Sequence, residues 1–257
     1  LFLLLMPLTL IGQGRFSFVS WNIQDFGKTK DDSEILIIAK TVRDYDIVAI
    51  QEVVAGYGGS QAVAKLADQL NRMGNKWDYI ISDPTQSPPY KTERYAFLWK
   101  PSKVTKIGRG WLDEEINKVV FREPFLVKFK VKDKIFILAN YHSRRFDEKP
   151  EEEITTFYNY SSRFKDYPII IAGDFNIKSS HKVFSPLYEN GFAVNLKKET
   201  TTLKRKCDKK GNYRNHPIDF ILYQREFFKK TGSAVIDFIG DCDKLTQLRG
   251  VSDHLPV

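Results

Sequence analysis

Cysteine and histidine are scarce, with two and four among 257 residues. No CxxC and no HExxH spacing occurs, which argues against a zinc site, since zinc needs clustered sulfur and nitrogen ligands. No stretch rich in Pro, Gly and Ser divides the chain, and no internal repeat is visible. A linker between domains and a repeat architecture are both excluded. Disorder is excluded too, because 42% of the residues are hydrophobic and 28% charged, an ordinary globular balance. Charge is missing altogether from residues 1–14, LFLLLMPLTLIGQG. This apolar run ends in small residues before Arg15. It is too short to span a bilayer comfortably and reads as the remnant of a secretory signal peptide. One domain over 15–257 is expected to follow it.

The formal net charge of +8 therefore belongs to that domain. A basic surface attracts polyanions such as nucleic acid or anionic headgroups. Cys207 and Cys242 fit one disulfide in an oxidising compartment, worth roughly 4 kcal/mol by chain entropy. Two buried free thiols are the alternative.

Apolar or alternating runs rich in Val, Ile, Phe and Tyr predict strands at 16–23, 46–51, 77–82, 95–99, 124–131, 134–141, 168–173, 218–223 and 234–238. Ile47-Val48-Ala49-Ile50 and Ile169-Ile170-Ile171-Ala172 are apolar on both faces, so both faces must be covered. Helical stripes lie between them. Ile35, Ile38 and Val42 mark one over 31–43, and Val63, Leu66 and Leu70 a second over 61–72. A third, over 151–163, is opened by Pro150 and an acidic first turn. Two packed sheets with helices outside are expected. The stretch 197–216, polar and rich in Lys and Arg, reads as a long exposed loop.

Polar residues gather at the ends of the apolar runs: Asn22, Gln51-Glu52, Asn140-Tyr141-His142, Asp174 and Asn176, Asp219, and Ser252-Asp253-His254. Taken singly, Asp and Asn at strand ends are turn formers, and a lone His is a structural hydrogen-bonding residue. Nothing in the sequence around His181 or His216 suggests a site. As a set, the oxygen donors Asn22, Glu52, Asp174, Asn176 and Asp253 suit a hard divalent cation. His142 and His254 could transfer protons.

Trp21-Asn22-Ile23-Gln24-Asp25-Phe26-Gly27, Ile50-Gln51-Glu52-Val53, Gly173-Asp174-Phe175-Asn176 and Ser252-Asp253-His254 resemble, in order and spacing, the motifs of the endonuclease/exonuclease/phosphatase superfamily. The stretches 93–101 and 122–129 are similar to its deoxyribonuclease I-like branch. The resemblance implies an α/β fold, a four-layer α/β/β/α sandwich of two packed mixed sheets with outer helices. It implies a secreted or periplasmic, monomeric endonuclease hydrolysing DNA phosphodiester bonds. Nucleic acid, as double-stranded DNA, would be its partner, without stable membrane insertion. The cofactor would be magnesium or manganese, with calcium in a structural role.

Carried over residue by residue, Glu52 would be the principal metal ligand. Asn22, Asp174, Asn176 and Asp253 would lie around the metal or the phosphate. His142 would be the general acid, oriented by Glu93, and His254 the general base, oriented by Asp219. Arg122 would hold a phosphate near the scissile bond, and Tyr90 would press on sugar or base in the minor groove. The sequence departs from the family where Val54 replaces an arginine that enters the minor groove. It also departs in one extra residue between Tyr90 and Glu93, in Arg144-Arg145 after His142, and in the placing of the two cysteines. A lipid phosphodiesterase or phosphatase, of sphingomyelinase or phosphoinositide type, is the competing reading on the same fold. The stretches 93–101 and 122–129 and the basic charge count against it. A catalytically inactive binding module would have lost a ligand or a histidine, and every core position is filled.

Overall fold

Strands that are apolar on both sides have to be sandwiched, and the two sheets of the computed structural model, which describes residues 14–88 and 90–257, meet that need in different ways. The first sheet contains β1 (Phe18–Phe26), β2 (Ile47–Val54), β3 (Asp78–Ile81) and β4 (Glu93–Trp99) in the order β1-β2-β4-β3. The second contains β5 (Thr105–Leu112), β6 (Phe125–Val131), β7 (Lys134–His142), β8 (Ile169–Asp174), β9 (Phe192–Val194) and β10 (Asp219–Gln224). Its order is β5-β6-β7-β8-β10-β9. Each sheet holds one parallel pair, β1 with β2 and β7 with β8, and is otherwise antiparallel, so both are mixed.

The helices α1 (Asp32–Val42) and α2 (Tyr57–Arg72) cover the outer face of the first sheet. α1 begins with reciprocal capping: Asp31 accepts from the Glu34 amide at 2.9 Å, and Glu34 accepts from the Asp31 amide at 3.0 Å. Its buried stripe is Ile35, Ile38, Ala39 and Val42, and that of α2 includes Val63, Leu66 and Leu70, as the periodicity predicts. The short helices α3 (Pro150–Ile154), α4 (Tyr160–Arg163) and α5 (Ser185–Glu189) pack on the outer face of the second sheet. The inner faces meet through Ile47, Phe97, Phe129, Leu138 and Ile170. The result is the four-layer α/β/β/α sandwich. A further helix, α6 (Cys242–Leu248), shares a small cluster with Leu203, Tyr213 and Leu255.

Three expectations are corrected. The helix over 151–163 is broken into α3, a 3-10 turn at Thr155–Asn159 and α4. The hydroxyls of Thr155 and Thr156 bond the carbonyls of Glu152 and Glu153, both at 2.7 Å, and so compete with the helical ladder. Residues 234–238 form no strand. Ile236 donates to the carbonyl of Pro256 at 2.9 Å, and Pro256 has no N–H to return. The stretch 197–216 is exposed at 197–199, over most of its centre and at 215–216, but not throughout. Its root, with Thr201, Thr202, Leu203 and Tyr213, is buried and bridges Thr202 to His254 and Leu203 to Arg214. Cys207 and Cys242 are disulfide-bonded. The leader at 1–14 lies, but for Gly14, outside the described residues. Among those described, no helix is long and apolar enough to cross a membrane.

Polar side chains also join the sheets. The Gln51 amide donates to Asn140 Oδ1 at 2.6 Å and to Ser20 Oγ at 3.1 Å. The Asn140 amide donates to the carbonyls of Ile50 and Ala96 at 3.0 and 3.1 Å. All three side chains are buried directly below the strand ends that carry the site.

Candidate active site

Strand register alone brings three of the expected residues together. His142 pairs with Asp174 across β7 and β8, and Asp174 with Asp219 across β8 and β10. Gly173 permits this approach. Its φ is +148°, and a Cβ there would stand 1.8 Å from the Tyr141 carbonyl oxygen, so no side chain fits. From the first sheet, Glu52 sits at φ +59°, where the β2–β4 register shifts between Ile50 and Val53. A bulge of this kind re-aims a side chain out of the strand's alternation. Asn22 lies on β1 beside it.

The Asn22 amide donates to Glu52 Oε1 at 2.9 Å and to Asp174 Oδ2 at 3.2 Å. Asp174 Oδ2 also lies 3.5 Å from His142 Nε2 and 3.7 Å from His254 Nε2. Two imidazoles thus converge on one carboxylate oxygen. Each is held from behind. His142 Nδ1 lies 3.0 Å from both oxygens of Glu93, and its backbone amide donates to Tyr95 Oη. His254 Nδ1 lies 3.0 and 2.9 Å from the oxygens of Asp219.

Burial by itself lowers an imidazole's pKa, because it penalises the charged form. For His142 the Glu93 carboxylate, with Asp174, outweighs burial and the pKa is raised. For His254, Asp219 and Asp174 outweigh it further and hold the ring well above its ordinary value. Glu93 is pushed up by burial, but the charges of His142 and Arg122 prevail and hold it below the usual carboxylate range.

The remaining expected residues stand around this centre. Asn176, at φ +52°, donates its backbone amide to Asp174 Oδ1 at 2.9 Å. Asp253 is at the rim, with Oδ1 4.0 Å from His254 Nε2 and Oδ2 accepting from Arg249 at 3.2 Å. Arg122 is buried. Its Nε pairs with Glu93 Oε2 at 3.0 Å, and Nη1 donates to the Ser143 carbonyl at 2.8 Å. In this arrangement its donors hold Glu93 and the strand end of His142. Tyr90 is fully exposed at φ +64° on the loop before β4, outside the cluster.

Metal capacity can be judged from the donors. Asp174, Asp219 and His254 offer atoms within 4.8 Å of one another. Both Asp219 oxygens face the His254 ring, and Oδ2 also accepts from Thr201 at 2.6 Å, so that grouping is accounted for as a histidine with its orienting carboxylate. The Glu52 side differs: Asn22 Oδ1 is buried there without a hydrogen-bond partner. An orphaned amide oxygen beside the carboxylates of Glu52 and Asp174 fits a hard divalent cation.

Sequence reading missed several supporting residues. Thr201 fixes Asp219. Ser252 donates to the Asn22 carbonyl at 2.6 Å. Lys30 is buried and donates to the Gly250 carbonyl at 2.7 Å, tying the loop after β1 to the segment that carries Asp253. Glu153, fully buried, accepts from the Phe121 amide at 2.5 Å, from Tyr141 Oη at 2.6 Å, and from the Arg144 amide and Nε, both at 2.9 Å. Arg144 is therefore committed to this contact. Arg145 is exposed and lies 3.5 Å from Asp147.

A family model described as the Endonuclease/Exonuclease/phosphatase family matches residues 19–254. The chain is 35% identical over 176 residues to deoxyribonuclease-1 of Bos taurus, covering 63% of this chain and 61% of that one. It is 29% identical over 194 residues to a deoxyribonuclease of Thioalkalivibrio sp. (strain K90mix), covering 70% and 51%. The matches thus span about three fifths or less of those relatives' lengths. A structure of an endonuclease/exonuclease/phosphatase family protein from Leptotrichia buccalis C-1013-b superposes with a TM-score of 0.63 at 15% identity, covering 94% of this chain and 97% of that one. With the match running from β1 through His254, the chain belongs to the endonuclease/exonuclease/phosphatase family.

Proposed function

We propose that this protein is a divalent-metal-dependent endonuclease that hydrolyses DNA phosphodiester bonds by histidine general acid and base catalysis. The observation that carries the reading is the convergence of two Nε2 atoms on Asp174 Oδ2, each ring backed by a buried carboxylate at Nδ1. The deoxyribonuclease relatives support DNA as the substrate.

Hydrolysis of a phosphodiester needs an activated water, a protonated leaving oxygen and relief of negative charge. Glu52 and Asn22, with Asp174 and Asp253 beside them, would hold the cation, which supplies charge neutralisation at the phosphoryl oxygen. His142 gives a proton from Nε2 to the leaving oxygen. Glu93 fixes its tautomer and Arg122 fixes Glu93. His254 takes a proton from water at Nε2, with Asp219 and Thr201 holding Nδ1. Asn176, and Arg122 on rearrangement, donate to the phosphate. The disulfide supports a secreted or periplasmic setting, because such bonds persist in oxidising compartments.

Supercoiled plasmid, sphingomyelin and phosphoinositide are incubated in parallel with magnesium or with excess chelator. Magnesium-dependent nicking, abolished in Glu52→Ala and Asp174→Ala, is expected. Lipid turnover without nicking, or nicking at full rate in chelator, would refute the proposal.

A further inference from the structure

The strand ends that carry His142, Asp174 and Asp219 continue into the walls of a cavity beside the site. It has a volume of ≈ 590 Å³ and is lined by Phe146, Asn176, Lys178, His181, His216 and Ile218, among others. Asn176 is two residues from Asp174, so the cavity opens within about 7 Å of the reacting centre along the chain. Ile218 directly precedes Asp219. Volumes of about 300–1,000 Å³ with largely apolar walls suit small organic groups.

Phe146 is 74% exposed, yet its turn is firmly held. The Glu148 amide donates to the Arg145 carbonyl at 2.9 Å, Glu148 pairs with Lys91 at 3.1 Å, and Arg144 is anchored on Glu153. A large aromatic ring is therefore presented to solvent on a pinned backbone. That arrangement offers contact area with little conformational entropy left to lose. Two imidazoles lie in the same cavity. The Val183 amide donates to His181 Nδ1 at 3.3 Å, which places the neutral ring's proton on Nε2, where it can serve as a donor. Lys178 and Lys182, both exposed on the lining, add positive charge.

Resting on the nuclease reading above, we infer that this cavity is a subsite for an unstacked nucleobase attached to the strand being cut, with Phe146 as its stacking platform. A phosphate at the reacting centre carries its neighbouring sugar and base towards the cavity. The flat rings of Phe146, His181 and His216 match the face of a heterocycle. Asn176 and His181 Nε2 offer hydrogen bonds to its edge, and the lysines face the flanking phosphates. A base within a continuous duplex is stacked and cannot enter without paying for its extrusion. The enzyme thus favours single-stranded or frayed DNA at the point of cleavage.

The test compares single-stranded oligothymidylate with a polymer of equal length and charge built of base-free tetrahydrofuran phosphodiesters. For the wild type, KM is expected to be roughly 5- to 100-fold lower on the polymer with bases, the range of single base–aromatic stacks. Phe146→Ala, which removes only an exposed ring, should collapse most of that ratio, and Phe146→Trp should restore it. Equal KM for both polymers in the wild type, or an unchanged ratio in Phe146→Ala, overturns the subsite while leaving the nuclease reading intact. Cleavage of neither polymer, with hydrolysis of a lipid phosphodiester instead, overturns both. Phe146-dependent binding to phosphatidylglycerol vesicles, with no difference between the polymers, assigns the cavity to a lipid and overturns the base subsite.

Discussion

Glu153 is distant from the reacting atoms, yet its replacement by glutamine should be felt there. The carboxylate accepts four hydrogen bonds, two of them from Arg144. Glutamine keeps the volume but turns one acceptor into a donor that faces existing donors, and it leaves the Arg144 guanidinium without its buried partner. Breaking a buried ion pair costs about 3–5 kcal/mol. Arg144 keeps a 3.4 Å contact with Glu152 and its place over the Phe121 ring, which argues for the lower end, about 3 kcal/mol. For a domain of this size Tm should fall by about 6–12 °C. The loss should reach the histidine through Phe121, whose amide Glu153 holds and whose neighbour Arg122 holds Glu93. At a temperature where both proteins are folded, kcat for DNA cleavage should drop while KM changes little. Removing both charges, as Arg144→Met with Glu153→Met, should recover only part of the stability: no guanidinium is left unpaired, but the amides of Phe121 and Arg144 and the Tyr141 hydroxyl still lose their buried acceptor. Thermal melts and steady-state cleavage check both halves. A Tm change under about 2 °C would refute the account of the clamp. A normal kcat in a destabilised Glu153→Gln would sever it from catalysis.

Other outcomes follow from the same contacts. His142→Ala and His254→Ala should each slow single-turnover cleavage by on the order of a hundredfold or more. The double variant should resemble the worse single one, and losses that multiply would show the two rings do not share a step. Thr201→Val removes the 2.6 Å hydrogen bond to Asp219, a loss of about 1–3 kcal/mol in a buried site. It should lower kcat roughly tenfold or more with KM held, and an unaltered kcat counts against its positioning role. Reduction of Cys207–Cys242, 35 residues apart in sequence, should cost about 4 kcal/mol of chain-entropy stabilisation. Urea unfolding with and without reductant measures it, and coincident curves would contradict it.

Much of the fold is written in local pattern. Ile47–Ile50 and Ile169–Ala172 announce strands covered on both faces, and Ile35, Ile38 and Val42 mark the buried face of α1. The edge strand β5 carries Gly108 and Gly110 and is half-exposed, so it has no alternation to detect. The break in the helix after Ile154 depends on two threonine hydroxyls that periodicity does not weigh. The candidate site residues are legible because motifs at strand ends travel as short words. Their supports are not. Thr201 reaches Asp219 across 18 residues and Glu153 reaches Phe121 across 32, and such contacts exist only after folding. The charge of Arg144 is visible in the sequence, but the Glu153 carboxylate that faces it is not. Nothing in the sequence joins His181 and His216 either, because the cavity they both line is made by segments from different parts of the chain.

Asn22, Glu52 and Glu93 stand on one sheet, and His142, Asp174 and Asp219 on the other. Neither sheet owns a working centre. Apolar packing between them has no direction and tolerates sliding, whereas the Ser20–Gln51–Asn140 bonds are satisfied in a single alignment. The seam therefore acts as a vernier: a slip too small to expose core or to alter far-ultraviolet circular dichroism would still part Glu93 from His142, and Asn22 from Asp174. Catalytic rate becomes the finest ruler of how the two halves are seated. In a refolding time course it should be the last signal to recover, after fluorescence and after secondary structure, and the Gln51→Leu variant should lengthen that lag.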